Sequence, residues 1–120
     1  MDRKQVLIVE DSLMIRDLLQ KALEKCGCIV CAVAKNGKEG IEMFKEHKPD
    51  VVFMDLNMPI MDGSDAIKSI KEISPEAKII VMSAMGDDET IAQVEAMGVT
   101  SFIKKPFTLH DIVTVLAAMS

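Results

Sequence analysis

The chain has no tryptophan, no tyrosine and only four phenylalanines among its 120 residues. No tryptophan or tyrosine ring is therefore available to stack on a flavin. Basic residues are also in deficit, since 14 lysines and arginines stand against 19 acids and leave a formal net charge of −5. This balance argues against nucleic acid as a direct ligand, because phosphate backbones are bound by surfaces of Lys and Arg.

Long apolar stretches are missing as well, although hydrophobic residues make up 49% of the chain. A transmembrane helix needs about 20 apolar residues in succession, and no apolar run comes near that length, so no membrane association is expected. The first residues lead directly into a predicted strand, which argues against a signal peptide. We therefore expect a cytoplasmic protein folded as one domain over residues 1–120.

The only cysteine cluster consists of Cys26, Cys28 and Cys31, spaced C-x-C-x2-C. Metal ligation or redox chemistry is one interpretation of such a cluster. However, no second cluster completes a tetrahedral site, and both His47 and His110 lie far away in sequence. We interpret the three residues as core or surface thiols, and their odd number fits a reducing compartment.

Strand and helix patterns alternate five times along the chain, with short connections and no linker. Five such units predict right-handed crossovers onto a parallel sheet with helices on both faces. The expected helix boundaries are Gly27, Pro49, Ser64 or Asp65, Pro75, the segment Gly86-Asp87-Asp88, Gly98 and Thr108. The expected inward positions are Ile15, Leu18, Leu19, Ala22, Leu23, Cys26, Ile41, Phe44, Ala66, Ile67, Ile70, Ile73, Ile91, Val94, Met97, Leu109, Ile112, Val113 and Leu116.

Four of the five predicted strands end in polar residues, and these residues predict a site. Glu10 and Asp11 follow the first strand, Asp55 the third, Ser83 the fourth and Lys105 the fifth. The second strand ends without such chemistry, as an edge strand would. The expected fold is therefore a doubly wound, flavodoxin-like α/β fold with strand order 2-1-3-4-5, whose site lies between strands one and three.

The three acids of this set predict a cation. If Glu10, Asp11 and Asp55 converge, each close pair repels by about 4 kcal/mol at an effective dielectric constant near 20. Mg²⁺, a hard cation with oxygen ligands, relieves this repulsion, and no histidine or cysteine is placed to select a softer metal. The alternative for Glu10 and Asp11 is a role at a helix N-terminus, where acids are favourable.

Asp55 is also a candidate nucleophile, because a carboxylate can attack phosphorus and form an aspartyl phosphate. Such a transfer needs its charge neutralised by a metal and a cation. Lys105 can supply the cation, Ser83 a hydroxyl with the Ala84 backbone N–H beside it, and Asn57 a backbone carbonyl for the metal. Taken singly, a serine at a strand end is usually a turn residue and a lysine is usually solvated.

The bond between Lys105 and Pro106 is a candidate cis peptide. X-Pro bonds become cis at low energetic cost, and a cis bond here would aim Lys105 back over the sheet edge. An ordinary proline opening the last loop is the alternative.

These residues resemble the receiver domain of bacterial and archaeal response regulators over essentially the whole chain. The resemblance rests on the residues above, on the Asp62-Gly63 turn, and on the segments 54–63 and 102–107. Within the family, the chain is most similar to the stand-alone chemotaxis regulators of the CheY type. The segment 83–86 and the short fifth helix favour this subgroup and its CheY-like fold.

The resemblance implies that a histidine kinase donates a phosphoryl group from a phosphohistidine to Asp55, with Mg²⁺. The metal ligands are then Asp11, Asp55 and the Asn57 carbonyl, with Glu10 acting largely through water. The phosphoryl oxygens are held by Ser83, Ala84 and Lys105. Such a domain is not an enzyme with an external substrate, since it promotes only its own phosphorylation and dephosphorylation.

The resemblance also implies a switch. When Ser83 moves toward the phosphoryl group, Phe102 turns inward and alters the face made by the fourth helix, fifth strand and fifth helix. Partners bind that face, with a downstream protein such as the flagellar motor switch as the candidate. A phosphatase is a further candidate partner, and the chain itself is expected to be monomeric. Three residues depart from the commonest family pattern: Glu10 replaces Asp, Ser83 replaces Thr and Phe102 replaces Tyr. Asn57 and Met85 are expected to tune the lifetime of the phosphorylated state.

Three other functions fit the sequence less well. A phosphohydrolase of the haloacid dehalogenase type needs an acid where Asn57 stands, and a cap segment. A flavodoxin-like FMN carrier needs a phosphate loop where Glu10 and Asp11 stand. A receiver cut from a larger regulator, with a DNA-binding or enzymatic output domain, is the main alternative, although the start of the chain and the closing residues 118–120 favour a stand-alone protein.

Overall fold

The computed structural model describes residues 3–58, 61, 63–84 and 88–118. Five strands and five helices alternate within these residues, as the sequence predicts. The strands are β1 (Gln5–Val9), β2 (Ile29–Ala34), β3 (Val51–Asp55), β4 (Lys78–Ser83) and β5 (Ser101–Lys104). The helices are α1 (Leu13–Lys25), α2 (Gly37–His47), α3 (Gly63–Ile73), α4 (Asp88–Glu95) and α5 (Leu109–Ala118).

The strands form one parallel sheet in the order β2-β1-β3-β4-β5, which confirms the predicted topology. Every residue of β3 is buried, as are four of the five residues of β1. Parallel strands covered by helices on both faces have this near-continuous apolar pattern. The one charged residue of β3, Asp55, is its last, so this strand places its charge at the carboxyl edge of the sheet.

The sheet separates two apolar layers. Helices α1 and α5 pack on one face through Leu19, Leu23 and Ile112, against β-strand residues such as Phe53. Helices α2, α3 and α4 cover the other face, where Ile67 is fully buried. The central strands are therefore packed against helices on both faces, and the strand ends are fixed relative to one another.

Several predicted inward positions are wrong, because the buried arc of each helix is narrower than its apolar pattern. Leu18 of α1 is 55% exposed and Ile73 of α3 is 45% exposed. In α5 the predicted Ile112 and Leu116 are buried together with Val115, which was not predicted, whereas Leu109 and Val113 are 45% and 46% exposed. Cys26, expected on the inner stripe of α1, is also exposed at the end of that helix.

Most predicted helix boundaries agree with the structure. Gly27 and Gly98 have positive φ angles of 83° and 86° just beyond α1 and α4, the conformation in which glycine is favoured at helix ends. Thr108 caps α5 reciprocally: its N–H donates to Asp111 Oδ2 at 2.8 Å, and its Oγ1 accepts from the Asp111 N–H at 3.2 Å, a capping box.

The predicted cap of α3 is wrong. Both Ser64 and Asp65 lie inside the helix, because α3 already begins at Gly63. Of the segment expected to open α4, Asp88 is the first helical residue, and Gly86 and Asp87 lie outside the described residues.

Candidate functional site

The carboxyl edge of the sheet brings the predicted polar residues together. Glu10 and Asp11 follow β1, Asp55 ends β3, and Ser83 ends β4. Glu10, Asp55 and Ser83 are buried to within 1% of full burial, whereas Asp11 is exposed. Because the Lys105 N–H donates to the Ser83 carbonyl oxygen at 2.8 Å, the segment after β5 is tied to the same edge.

Three carboxylates meet at this edge. One oxygen each from Glu10, Asp11 and Asp55 lies within 4.8 Å of the other two, and among the described residues this is the one cluster that could hold a metal ion. At that separation each ionised pair repels by roughly 3 kcal/mol at an effective dielectric constant of 20. The site therefore favours positive charge.

Lys105 supplies part of that charge. Its Nζ lies 2.7 Å from Glu10 Oε1 and 3.0 Å from Asp55 Oδ1, and the Lys105–Pro106 peptide bond is cis. Burial alone would lower the pKa of Lys105, but the hydrogen bonds to Glu10 and Asp55 and the charges of these two acids raise it overall. The ammonium is thus held protonated between two buried carboxylates.

Glu10 shows the electrostatic cost of this arrangement. Burial raises its pKa to about 7, although hydrogen bonds from Lys105 and the Ser12 backbone N–H act in the opposite direction. The negative charge of Asp55 raises it further. The positive charge of Lys105 therefore offsets only part of the electrostatic cost of burying these carboxylates.

Apart from Glu10 Oε1, whose contact is the ion pair with Lys105, two buried oxygens at the site have no hydrogen-bond partner within the described part of the chain: Asp55 Oδ2 and Ser83 Oγ. The other oxygen of Asp55 accepts from the Asn57 N–H at 3.1 Å as well as from Lys105. Buried polar atoms are nearly always paired, so such atoms point to a missing ion, water or ligand. Unpaired carboxylate and hydroxyl oxygens are hard donors, and these residues therefore fit a Mg²⁺ ion and a phosphoryl group.

Gly63 is a site residue that the sequence analysis treated only as part of a turn. It is buried at the start of α3, and its N–H donates to the Leu56 carbonyl oxygen at 3.1 Å. A Cβ added there would lie 2.7 Å from Leu56 Cα and also meet the Asp55 carbonyl oxygen. Glycine is a poor helix residue, so a glycine at the start of a predicted helix was the available signal.

The remaining predicted site residues lie around this centre. Asn57 and Ala84 are exposed; Ala84 directly follows β4, and Asn57 lies two residues beyond the end of β3. Phe102 is half-buried in β5 beside Val81, and its side chain packs against the layer formed by α2, α3 and α4. Met85 and Asp62 lie outside the described residues.

The face predicted to bind partners contains a groove between β5 and α5. Phe102, Lys104, Pro106, His110 and Thr114 line it. The groove starts at the strand that leads to Lys105, so a displacement in the site reaches it through a single strand.

Among the described residues, the three cysteines belong to no group of His, Cys, Asp or Glu side chains that lies close enough together to hold a metal ion. All three thiols are free. Cys28 is buried and Cys31 is half-buried with its Sγ 3.4 Å from the Val6 carbonyl oxygen, and burial raises the pKa of both. Over the described residues, no helix combines the length and the apolar character needed to span a membrane.

Comparison with known proteins agrees with the geometry. The family model of the response regulator receiver domain matches residues 6–117. The chain is 45% identical to the chemotaxis protein CheY of Thermotoga maritima over 98% of each chain, and 44% identical to CheY of Bacillus subtilis over 86% of each.

Solved structures show the same likeness. A chain of the CheX–CheY–BeF3–Mg²⁺ complex from Borrelia burgdorferi superposes with a TM-score of 0.92 at 28% identity, covering 97% of this chain and 88% of that chain. CheY4 from Vibrio cholerae superposes with a TM-score of 0.88 at 26% identity, covering 97% and 98%.

Proposed function

We propose that Asp55 accepts a phosphoryl group from a histidine kinase, because the chain belongs to the response regulator receiver domain family and its buried Asp55 carboxylate lies 3.0 Å from the Lys105 ammonium. It is closely related to the CheY chemotaxis regulators, and a phosphoryl-accepting role in two-component signalling is consistent with both findings. On this proposal residues 1–120 form one receiver domain, a signalling domain whose only chemistry is its own phosphorylation and dephosphorylation.

One observation carries the assignment of Asp55. It is a carboxylate at the end of the most buried strand, with Oδ1 held by the Asn57 N–H and Lys105 while Oδ2 has no partner among the described residues. One oxygen is therefore fixed in position and the other is available to react. Glu10 is as buried as Asp55, but its Oε2 accepts the Ser12 N–H and its Oε1 faces the Lys105 ammonium at 2.7 Å, whereas Asp55 Oδ2 has neither contact among the described residues.

The reaction is an in-line displacement. Asp55 Oδ2 attacks the phosphorus of a phosphohistidine, a P–O bond forms, and the P–N bond breaks. The imidazole nitrogen leaves with the bonding electron pair and recovers a proton from solvent. Lys105 and the Ser83 hydroxyl, with the Ala84 N–H, hold the equatorial oxygens on which charge accumulates.

The acidic residues of the pocket are the proposed ligands of Mg²⁺. Asp11, Asp55 and the Asn57 carbonyl would hold Mg²⁺ directly, and Glu10 would act through water. When bound, the ion neutralises charge on the transferring phosphoryl group. The role of the exposed Asp11 is to offer a ligand on the solvent side of a pocket whose other acids are buried.

Phosphorylation is expected to act as a switch. A phosphoryl group on Asp55 draws the unpaired Ser83 hydroxyl toward it, and the half-buried Phe102 ring moves into the space that Ser83 leaves. This changes the α4-β5-α5 face. The phosphoryl group needs only to bind one of two existing conformations better than the other.

The proposed partners follow from the relatives. A histidine kinase is the phosphodonor, and the α4-β5-α5 face binds a downstream target, with the flagellar motor switch as the candidate in chemotaxis. The Borrelia burgdorferi complex of CheX and CheY with BeF3 and Mg²⁺ supports a phosphatase-like partner and the magnesium site in this chain. We propose a monomer acting in the cytoplasm, with Asn57 and Met85 tuning the lifetime of the acyl phosphate.

The test is the intact mass of the protein after incubation with acetyl phosphate and Mg²⁺. We expect one phosphoryl adduct, absent when EDTA replaces Mg²⁺ and absent from the Asp55→Asn variant. An adduct of equal yield in Asp55→Asn would show that another residue is the acceptor. If the wild type forms no adduct and binds no beryllofluoride, the proposal is wrong, because the second result excludes rapid hydrolysis as the reason.

A further inference from the structure

Helix α4 is the least anchored helix in the described part of the chain. Val94 is its one buried residue, whereas α1, α2, α3 and α5 each bury three or more. Its contacts with other helices and strands are mainly with α3. Elements with few buried apolar contacts open and move at the lowest cost in free energy. Any further contact that holds α4 in place therefore has a large influence on its position.

Lys71, in the last turn of α3, provides such a contact at the C-terminal end of α4. Its Nζ donates to the Ala77 carbonyl oxygen at 2.8 Å and to the Pro75 carbonyl oxygen at 3.3 Å, so the ammonium is fixed to the connection between α3 and β4. The same ammonium lies beside Gly98, just after α4: a Cβ added to Gly98 would be 3.9 Å from Nζ and 4.0 Å from Cε. Lys71 thus joins α3, the α3–β4 connection and the end of α4.

The charge of Lys71 is favourable at this position. The C-terminal end of a helix carries partial negative charge, and a cation beside it stabilises the helix. The last turn of α4 has no basic residue of its own, so the neighbouring helix supplies the cation. The ion pairs found among the described residues do not include Lys71, so no carboxylate neutralises its charge there.

We propose that Lys71 is a positioning residue for α4, which favours the position that this helix has in the present structure. Two hydrogen bonds hold the ammonium on the α3–β4 connection, so it does not follow α4 when the helix moves. The contact with Gly98 is therefore lost in a conformation in which the end of α4 is displaced. A contact made in only one of two conformations shifts the equilibrium toward that conformation.

The inference deepens the proposed function and rests on it for the switch. Helix α4 is part of the α4-β5-α5 face, and the chain runs to it from Ser83, the last residue of β4. Because occupation of the site is expected to alter this face, Lys71 opposes the switch. A ligand that needs the switched conformation binds with an affinity reduced by the fraction of molecules in that conformation. Without the Lys71 contact this fraction is larger, and such a ligand should bind more tightly.

The test compares Lys71→Met with the wild type in two NMR measurements. Without ligand, amide hydrogen exchange over residues 91–98 should be about fivefold faster in Lys71→Met. With Mg²⁺ present, beryllofluoride, which stands in for a phosphoryl group, should bind to Lys71→Met about fivefold more tightly. Lys68→Met is the matched control, because Lys68 is exposed one turn earlier on α3. Lys68→Met should match the wild type, and so should Lys71→Arg, which keeps the charge.

Two results would overturn the proposal. Unchanged exchange over residues 91–98 in Lys71→Met would mean that α4 does not depend on this contact. Equal or weaker binding of beryllofluoride by Lys71→Met would also overturn it, since a merely destabilising substitution does not raise an affinity. If Lys71→Met does not fold, Lys71→Gln, which keeps a hydrogen-bond donor and removes the charge, is measured with the same expectations.

The failure of this inference is distinguishable from the failure of the proposed function. A wild type that neither binds beryllofluoride nor forms a phosphoryl adduct contradicts the proposed function, while faster exchange in Lys71→Met would still show that Lys71 positions α4. A wild type that binds beryllofluoride with the same affinity as Lys71→Met contradicts the inference alone.

Discussion

Substitution of Gly63 by alanine should damage both the stability of the fold and the acceptor. An alanine Cβ would lie 2.7 Å from Leu56 Cα and would also meet the carbonyl oxygen of Asp55. Both are backbone atoms at the end of the most buried strand, so no flexible side chain can yield. Overpacking of this kind costs about 1–3 kcal/mol, which exceeds the gain of up to about 1 kcal/mol from replacing glycine in a helix.

The displaced backbone carries the acceptor, so phosphorylation should suffer separately from stability. A shift of about 1 Å in a reacting group can slow a reaction by as much as about 100-fold, and we expect at least roughly a tenfold slower phosphoryl adduct in Gly63→Ala. The adduct is measured by intact mass against time in acetyl phosphate and Mg²⁺. Unfolding in urea is followed by far-ultraviolet circular dichroism, because the chain has no Trp or Tyr.

Gly27→Ala is the matched control. Its Cβ would have no atom within 4 Å, but the φ angle of 83° is unfavourable for alanine, at about 1–2 kcal/mol. Both variants should therefore lose stability, and only Gly63→Ala should lose phosphorylation rate. If folded Gly63→Ala protein were phosphorylated at the wild-type rate, the close approach of Gly63 to the backbone of Asp55 and Leu56 would not be what positions the acceptor.

Two further predictions test packing elsewhere. Under native conditions at neutral pH, maleimide should label exposed Cys26 rapidly and should label Cys28 and Cys31 slowly. Burial raises the pKa of Cys28 and Cys31, so less of each thiol is ionised to thiolate. Equal labelling rates at the three cysteines, measured by mass spectrometry, would contradict this. Val115→Ala should lower the free energy of unfolding by about 2 kcal/mol, because Val115 is buried. Val113 is half-exposed, and Val113→Ala should change the free energy of unfolding by no more than about 0.5 kcal/mol. A larger loss for Val113→Ala in urea unfolding would mean that α5 packs on the sheet through Val113 instead of Val115.

The fold could be predicted because its strands are short apolar runs and its helices have amphipathic spacing. The order of the strands could be predicted from one contrast: residues after β2 carry no polar chemistry of the kind found at Asp55 and Lys105. A strand without a site residue belongs at the edge, and the structure places β2 there. The convergence of the site residues then follows from parallel strands sharing one carboxyl edge.

What the sequence could not decide is the rotation of helices with more apolar residues than their contacts require. In α5 the residues Leu109, Ile112, Val113, Val115 and Leu116 are all apolar, and two overlapping stripes can be drawn through them. Successive residues differ by about 100° around a helix, so Val113 and Val115 flank the shared inward residues Ile112 and Leu116 on opposite sides. Choosing one over the other turns the helix by well under half a revolution. Only contacts with α1 and the sheet select the stripe that contains Val115.

Contacts between side chains were equally beyond prediction. The sequence indicates that Glu10 and Lys105 lie near Asp55, but the division of the carboxylate oxygens between them depends on distances of a few tenths of an ångström. The 2.7 Å contact of Lys105 with Glu10, shorter than its contact with Asp55, is visible only in the structure.

The charge balance of the pocket constrains the order of events. Three carboxylates face one ammonium, so the ionised pocket carries two uncompensated negative charges. Burial raises the pKa of Glu10 to about 7, and the negative charge of Asp55 contributes in the same direction. A phosphoryl group brings further negative charge to Asp55, and Lys105 is already shared between two acids. A divalent cation held by Asp11 and Asp55 would offset this excess, and we therefore expect phosphorylation of Asp55 to depend on metal occupancy rather than merely be accelerated by it.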